Sequence, residues 1–271
     1  MTATRDDRAQ AFHDLHGPGR ILVLPNAWDV GSARLVVSCG AEAIATTSAG
    51  VAWAHGLPDG QALSARAVAE AVAAIVRAVK VPVSADIEAG YATDPRTVGE
   101  NVAAIVGAGA VGINLEDGRE SVDVTAAKIA AARAAADREG VALFINARTD
   151  TFLKQLVPPE RAVEETLARA ARYREAGASG VFVPRLQDPA EIRAIAAAVS
   201  LPLNVLIVPG LAPVDELRAL GVRRVSAGGA VAIAAYTAAK DAVESLLGSG
   251  RYDGLFTRAG ALDMNRLLSS G

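Results

Sequence analysis

Two carboxylates lie two residues apart shortly after an apolar segment at 81–83, and they are Asp86 and Glu88. In extended backbone, residues i and i+2 point to the same side, so both side chains project together from a strand end. Gly90 then lets the chain turn sharply. Paired acids at a buried strand end are costly unless they hold a cation or bind a ligand. This stretch therefore predicts the centre of a site.

The acids indicate a hard divalent cation. Mg²⁺ prefers oxygen ligands and keeps several of its waters, so Asp86, Glu88 and Glu116 suit it either directly or through water. Mn²⁺ is the alternative ion. No His-x-x-x-His or cysteine pair offers a zinc site.

Arg148 follows another apolar strand and can clamp a carboxylate or phosphonate through two parallel hydrogen bonds. It can also pair with Asp86 or Glu116, and the two roles are compatible. A metal-held anion beside an arginine suits enolate chemistry. Mg²⁺ would chelate the carboxylate and keto oxygens of a 2-oxo acid, and charge on the enolate oxygen would be stabilised as the bond at the α-carbon breaks.

Two further segments have a structural and a functional interpretation. Ser48 and the backbone around Ala49 and Gly50 can cradle an anion at a loop or helix start, or form a simple turn. Asp59 is either a turn residue or an acid or base on the same loop.

The elements that would position these residues alternate strictly. Eight apolar strands are predicted at 21–24, 43–47, 81–85, 111–115, 143–147, 180–184, 203–206 and 224–227, each followed by a helix. Their continuous apolar character is typical of parallel strands covered on both faces. Eight such units in about 250 residues predict an α/β fold, a (β/α)8 TIM barrel. A doubly wound sheet is disfavoured because no Gly-x-Gly-x-x-Gly follows the first strand.

In such a barrel the site lies where the strands end. The polar residues at these ends are Asn26, Trp28, Thr47, Ser48, Gly50, Asp86, Glu88, Glu116, Asp117, Arg148, Asp150, Arg185 and Asn204. They would face one bowl.

Composition excludes several classes of function. The chain has 271 residues, 51% of them hydrophobic, and a net charge of −3, which disfavours nucleic acid as a partner. Its one cysteine, Cys39, is expected in the core, excludes an internal disulfide and fits a cytoplasmic location. Alanine-rich stretches are interrupted by Lys and Arg, so no membrane span is expected.

We expect a single domain over 1–271. The segment 251–271 remains after the eighth unit and contains several apolar residues. It is expected to be a helical extension that packs on the barrel or on a partner subunit of a homo-oligomer.

The chain resembles the isocitrate lyase/phosphoenolpyruvate mutase superfamily over nearly its full length. The matching pieces are Leu24-Pro25-Asn26-Ala27-Trp28-Asp29, Thr47-Ser48-Ala49-Gly50, Gly56-Leu57-Pro58-Asp59, Asp86-Ile87-Glu88-Ala89-Gly90-Tyr91, Ile113-Asn114-Leu115-Glu116-Asp117 and Asn146-Ala147-Arg148-Thr149-Asp150. Six pieces in order, each at a strand end, make the resemblance specific.

The resemblance implies a (β/α)8 barrel that binds Mg²⁺ and acts on 2-oxo acids or their adducts. The metal positions would be Asp86, Glu88 and Glu116, and the catalytic ones Asp59, Arg148 and Glu116. The substrate-binding positions would be Trp28, Ser48, Ala49, Gly50, Arg148 and Asn204, with Asp59 and Asn204 near the reacting group. Dimers or tetramers that exchange the last helix are also implied.

The loop at 118–123 departs from the family. It reads Gly-Arg-Glu-Ser-Val-Asp, without the Lys-x-Cys-Gly-His of the lyases or the Lys-Thr-Asn-Ser type of the mutases. The prediction is a Mg²⁺-dependent lyase that cleaves a C–C bond of a small 2-oxo or 2-hydroxy carboxylate, with Asp59 or Glu120 as proton-transfer candidates. The alternatives are a P–C phosphonomutase or hydrolase, and a non-catalytic 2-oxo-acid binding protein.

Overall fold

A closed ring of parallel strands forms the centre of the protein in this computed structural model, which describes residues 4–252, 255–256 and 262–269. The strands are β1 (Leu22–Leu24), β2 (Asn26–Ala27), β3 (Ile44–Thr46), β4 (Val83–Asp86), β5 (Gly112–Glu116), β6 (Phe144–Arg148), β7 (Gly180–Val183), β8 (Leu203–Leu206) and β9 (Arg224–Ser226). They pair in the order β1-β9-β8-β7-β6-β5-β4-β3-β2.

The strands β1 and β2 are two halves of one barrel strand. Pro25 separates them, and proline has no N–H to donate to a sheet. The first half pairs with β9 and the second with β3, so the ring closes. All pairs are parallel. The predicted (β/α)8 barrel is confirmed.

The helices surround this ring. They are α1 (Arg5–Asp14), α2 (Val30–Ser38), α3 (Ser48–Ala54), α4 (Ala65–Ala78), α5 (Pro95–Gly107), α6 (Val122–Arg138), α7 (Ala162–Glu175), α8 (Pro189–Ala198), α9 (Val214–Ala219), α10 (Ala230–Ser249) and α11 (Met264–Ser269). Two of them, α1 and α3, were not expected from the sequence.

Packing between helices and sheet follows from helical periodicity. In α4 the buried residues are Val68, Val72, Ile75 and Val76, which share one face at spacings of four, three and one residue. Ser64 caps the helix, because its side chain accepts the N–H of Ala67. Each fully buried Val or Ile stabilises the fold by about 1.5–3 kcal/mol.

The helix α1 closes the end of the barrel where the strands begin. Phe12 is fully buried, with its ring 5.5 Å from that of Phe144. A Cβ at Gly112 would lie 2.6 Å from the Phe12 ring, so this position needs glycine. His16 stacks on Phe144 at 4.0 Å, and burial lowers the pKa of its imidazole to about 3. His16 is thus a neutral core residue.

The last helices lie mostly on the outside. In α10 the buried residue is Ala232, whereas α11 packs on α2, where Arg34 donates to the carbonyl of Leu267 at 3.1 Å. Parts of the predicted tail at 251–271 lie outside the described residues. Cys39, expected in the core, is exposed at the end of α2. In the described residues, no helix combines the length and apolar character that a membrane crossing requires.

Candidate active site

Unusual backbone conformations are concentrated where the strands end. The non-glycine residues with φ between 48° and 68° are Gln61, Glu88, Tyr91, Gln155 and Arg185. Each lies in a connection that follows a strand's carboxyl end. Such conformations cost about 1–3 kcal/mol each and gather at functional sites. This rim is therefore the candidate site.

Asp86 ends β4 and is tied to the start of α3. Its Oδ2 accepts the N–H of Ser48 at 3.2 Å, and its own N–H donates to Thr46 Oγ1 at 2.9 Å. A carboxylate at a helix N-terminus is favoured by the helix dipole. A Cβ at Gly50 would lie only 2.8 Å from Trp28 Cβ, so glycine lets α3 approach half-buried Trp28. The predicted Ser48–Gly50 segment is thus adjacent to the predicted metal position.

Glu88 is buried and held by a residue that the sequence did not suggest. Its Oε2 accepts the N–H of Gln61 at 2.6 Å, and Gln61 Oε1 accepts the N–H of Tyr91 at 3.0 Å. These bonds dock the loop that carries exposed Asp59. Burial, together with the charges of Asp59 and Asp86, raises the pKa of Glu88 to about 7.

Glu116 and Arg148 face each other across β5 and β6. Arg148 Nη1 lies 2.7 Å from Glu116 Oε2, and Arg148 Nε donates to Asp150 Oδ1 at 2.7 Å. Burial raises the pKa of Glu116 to about 7, although the charge of Arg148 opposes this and that of Asp86 adds to it. Burial alone would lower the pKa of Arg148, but the carboxylates of Glu116 and Asp150 raise it, so the guanidinium stays charged.

Further charged residues are linked to Arg148 through Asp150. Asp150 is fully buried, and Lys154 Nζ lies 2.9 Å from its Oδ2. Asp117 Oδ1 accepts the N–H of Asp150 at 2.9 Å, while its Oδ2 accepts from Arg169 and Tyr173, both at 2.8 Å. Asp117, predicted to face the bowl, therefore points toward α7 and supports Asp150.

The loop after β5 is anchored by a buried ion pair. Lys128 of α6 is fully buried, and its Nζ lies 2.7 Å from Glu120 Oε1 and 3.1 Å from the carbonyl of Ala89. The pair joins this loop to the one after β4. The Glu120 carboxylate, a candidate for proton transfer, is engaged in this structural contact.

Asn204 is not brought together with the other predicted residues. It is 1% exposed, and its amide both donates to Ser226 Oγ at 3.0 Å and accepts from it at 3.2 Å. Its neighbour Arg224 donates to the same hydroxyl. Asn204 thus lies inside the barrel, beneath the rim, and not among the residues open to a ligand.

The donor set fits a cation that keeps its waters. Among the residues that the structure describes, no three acidic, His or Cys side chains converge closely enough to enclose a metal ion. Mg²⁺ needs only one or two protein carboxylates, with waters completing its shell. Asp86 raises the pKa of both Glu88 and Glu116, so the three carboxylates share one electrostatic environment. A divalent cation would relieve their repulsion.

Several known proteins are similar to this chain in sequence and fold. The chain is 41% identical over 219 residues to an uncharacterised protein of Mycobacterium tuberculosis (strain H37Rv), covering 80% of this chain and 81% of that one. A crystal structure of a candidate phosphonomutase from Burkholderia cenocepacia J2315 is 45% identical, with a TM-score of 0.85, covering 88% of this chain and 99% of that one.

Two other relatives have more specific names. Oxaloacetate decarboxylase of Pseudomonas entomophila (strain L48) is 29% identical over 253 residues, covering 88% of this chain and 84% of that one. A phosphonopyruvate hydrolase solved with oxalate and Mg²⁺ is 25% identical, with a TM-score of 0.82, covering 97% and 94%. Residues 12–247 match the family model described as phosphoenolpyruvate phosphomutase. The chain therefore belongs to the phosphoenolpyruvate phosphomutase family, within the isocitrate lyase/phosphoenolpyruvate mutase superfamily.

Proposed function

We propose that the protein is a Mg²⁺-dependent lyase that cleaves a carbon–carbon bond of a small 2-oxo or 2-hydroxy carboxylate through an enolate. One observation carries the proposal: Arg148 is held between Glu116 and Asp150, next to the acids around Asp86. Its Nη2 makes no hydrogen bond to the described part of the chain, so it can bind a substrate carboxylate. Similarity to an oxaloacetate decarboxylase supports this class of reaction.

The residues divide the work as follows. Asp86, Glu88 and Glu116 would hold the metal, directly or through water, while Arg148 and the Ser48 segment orient the substrate's carboxylate. The metal, when bound, supplies positive charge that favours the enolate. With a 2-oxo acid, breaking the C–C bond leaves its electron pair on the 2-oxo fragment as an enolate, and the other fragment leaves as a carbonyl compound or CO₂. With a 2-hydroxy acid, a base takes the hydroxyl proton, the hydroxyl carbon becomes the carbonyl of a 2-oxo acid, and the electron pair stays on the other fragment as its enolate. Asp59, which is exposed and close enough to influence Glu88, would then deliver a proton.

A substrate panel tests this proposal. Purified protein is incubated with 2-oxo acids, hydroxy diacids and phosphonates in the presence of Mg²⁺ or of a chelator. We expect turnover of at least one carboxylate that requires the metal. Full activity of metal-stripped protein would contradict the metal role.

A P–C phosphonomutase or hydrolase is the second candidate, because a candidate phosphonomutase is 45% identical to this chain. Incubation with phosphonopyruvate, followed by phosphorus NMR, separates the two reactions. Release of phosphate or a rearranged phosphorus signal would favour the second candidate. Binding of oxalate or pyruvate without turnover of any substrate would instead favour a 2-oxo-acid binding protein. In either case we propose a cytoplasmic homo-oligomer.

A further inference from the structure

Lys154 shares the Asp150 carboxylate with Arg148, acts electrostatically on Glu116, and has no role in the reaction described above. Asp150 holds both cations: Arg148 Nε lies 2.7 Å from Oδ1, and Lys154 Nζ lies 2.9 Å from Oδ2. Each ion pair shares a residue with the next, so the charges alternate from Glu116 through Arg148 and Asp150 to Lys154. Asp150 is fully buried, whereas 34% of the Lys154 side chain is exposed. The exposed end of this series of charges is therefore positive.

The position of Lys154 is fixed by its backbone. Its N–H donates to the Asp150 carbonyl at 2.8 Å, and its own carbonyl accepts from Arg119 at 3.4 Å. These bonds hold the backbone of Lys154, and the Asp150 carboxylate holds its ammonium.

The loop after β5 passes close to this ammonium at Gly118. A Cβ at Gly118 would lie 3.2 Å from Lys154 Nζ, so a larger residue there would crowd the charge. Gly118 has φ +57°, which side chains rarely adopt. Because the Lys128–Glu120 pair anchors the same loop, the loop stays in place beside Lys154.

Acidic and basic side chains thus lie on different sides of the bowl. Asp59, Asp86 and Glu88 lie on the side of β3 and β4, whereas Arg148 ends β6 and Lys154 follows that strand. A monoanionic 2-oxo acid would be satisfied by a metal and Arg148 alone. A second cation beside Arg148 is suited to a second anionic group on the same small molecule.

We propose that Lys154 is a specificity residue that binds the second acidic group of a dianionic substrate, either a second carboxylate or a phosphonate. The inference rests on the proposed function, because it assumes that the first carboxylate is held beside Arg148 and Mg²⁺. It narrows the substrate class to 2-oxo diacids and phosphonopyruvate-like molecules.

The test uses Lys154→Met, which removes the charge, and Lys154→Arg, which keeps it. Calorimetry with Mg²⁺ present measures the affinity for pyruvate, oxaloacetate and phosphonopyruvate, and steady-state kinetics gives KM and kcat wherever turnover occurs. We expect Lys154→Met to weaken binding of the two dianions by about 10- to 100-fold, the range of a charge-assisted hydrogen bond. Pyruvate affinity should change less than about twofold, and Lys154→Arg should restore most of the loss. Comparison of the two dianions shows which acidic group is preferred.

Arg138→Met is the matched control, since it removes an exposed cation from the opposite end of α6. An equal loss for pyruvate and the dianions would overturn the inference, because it would show that Lys154 only supports Arg148. Wild-type protein that binds dianions no better than pyruvate would overturn it as well. Absence of turnover with intact binding would contradict only the proposed reaction, and the affinity ratios would still decide the role of Lys154.

Discussion

Glu116 and Arg148 are register partners on β5 and β6, and their side chains meet at 2.7 Å. The planar guanidinium reaches Glu116 and Asp150 at once, which the ammonium of lysine cannot reproduce. We therefore expect Arg148→Lys to lower kcat/KM by about 100-fold or more, the typical cost of losing a positioned charge-stabilising donor. The fold should persist, as judged by circular dichroism. Activity within a few fold of wild type would remove Arg148 from the mechanism.

Asp86 is the acid that influences both Glu88 and Glu116. We expect Asp86→Asn to weaken Mn²⁺ binding by about 10-fold or more, because the substitution removes a negative charge while keeping an oxygen acceptor for Ser48. Isothermal titration of the metal-stripped protein measures this directly. Asp215→Asn, an exposed carboxylate on α9, is the control and should bind Mn²⁺ like the wild type. Unchanged affinity in Asp86→Asn would exclude this carboxylate as a ligand.

Without metal, the protein should become less stable as pH rises, and Mg²⁺ should prevent this loss of stability. The folded pKa values of Glu88 and Glu116 are raised to about 7 from 4.5, so the stability they contribute is present below their unfolded pKa and lost as pH rises through 7. Without metal, Tm should fall by several degrees between about pH 5.5 and 8. Mg²⁺ should restore Tm at the higher pH and have little effect at the lower one. Glu88→Gln should flatten the profile, and a Tm that rises over this interval without metal would refute the assignment.

The Lys128–Glu120 pair should matter for folding and not for chemistry. Glu120→Gln leaves the fully buried ammonium of Lys128 without a negative partner and should lower the free energy of unfolding by about 3 kcal/mol or more. Lys128→Met should lower it less, because Glu120 is partly exposed to solvent. The double variant should recover most of the stability and keep its turnover. Urea unfolding gives the free energies. Loss of turnover in a well-folded double variant would instead identify Glu120 as a proton-transfer group.

The exposed apolar residues of α10 lead us to expect that the protein self-associates. These residues are Ile233, Tyr236, Val243, Leu246 and Leu247. Apolar patches of this kind mark interaction sites. We expect a dimer or tetramer by light scattering at micromolar concentration, and a smaller species for Leu246→Glu/Leu247→Glu. Arg138→Glu should leave the mass unchanged, and a monomeric wild type would contradict the expectation.

The strands could be predicted because parallel strands in a barrel are apolar on both faces. The helix α3 could not, since its seven residues include a glycine and its first N–H is satisfied by Asp86, 38 positions away. The helix α1 is mostly polar, and Phe12 acquires its role only by closing the barrel.

In the candidate site, too, some features could be predicted from the sequence and others could not. Acids and arginine at strand ends are recognisable from residue type and spacing, so the proximity of Asp86, Glu88, Glu116 and Arg148 could be predicted. Gln61 holds Glu88 through its backbone N–H, which every residue type except proline could supply, so no sequence signal marks it. The contact of Asn204 with Ser226 inside the barrel could not be predicted, because strand position alone does not tell whether a side chain points into the bowl or into the barrel.

The buried ammonium of Lys128 also bears on how this protein could be re-engineered or could have diverged. Its partner lies in the loop after β5, while Lys128 itself lies eight residues later on a helix. If residues 118–121 alone were replaced by the loop of a relative that lacks an acid at position 120, the buried ammonium of Lys128 would lose its partner. Loop and helix must therefore change together, and we expect positions 120 and 128 to covary among relatives. Aligned relatives with an uncharged residue at one position and a charged one at the other would argue against this coupling.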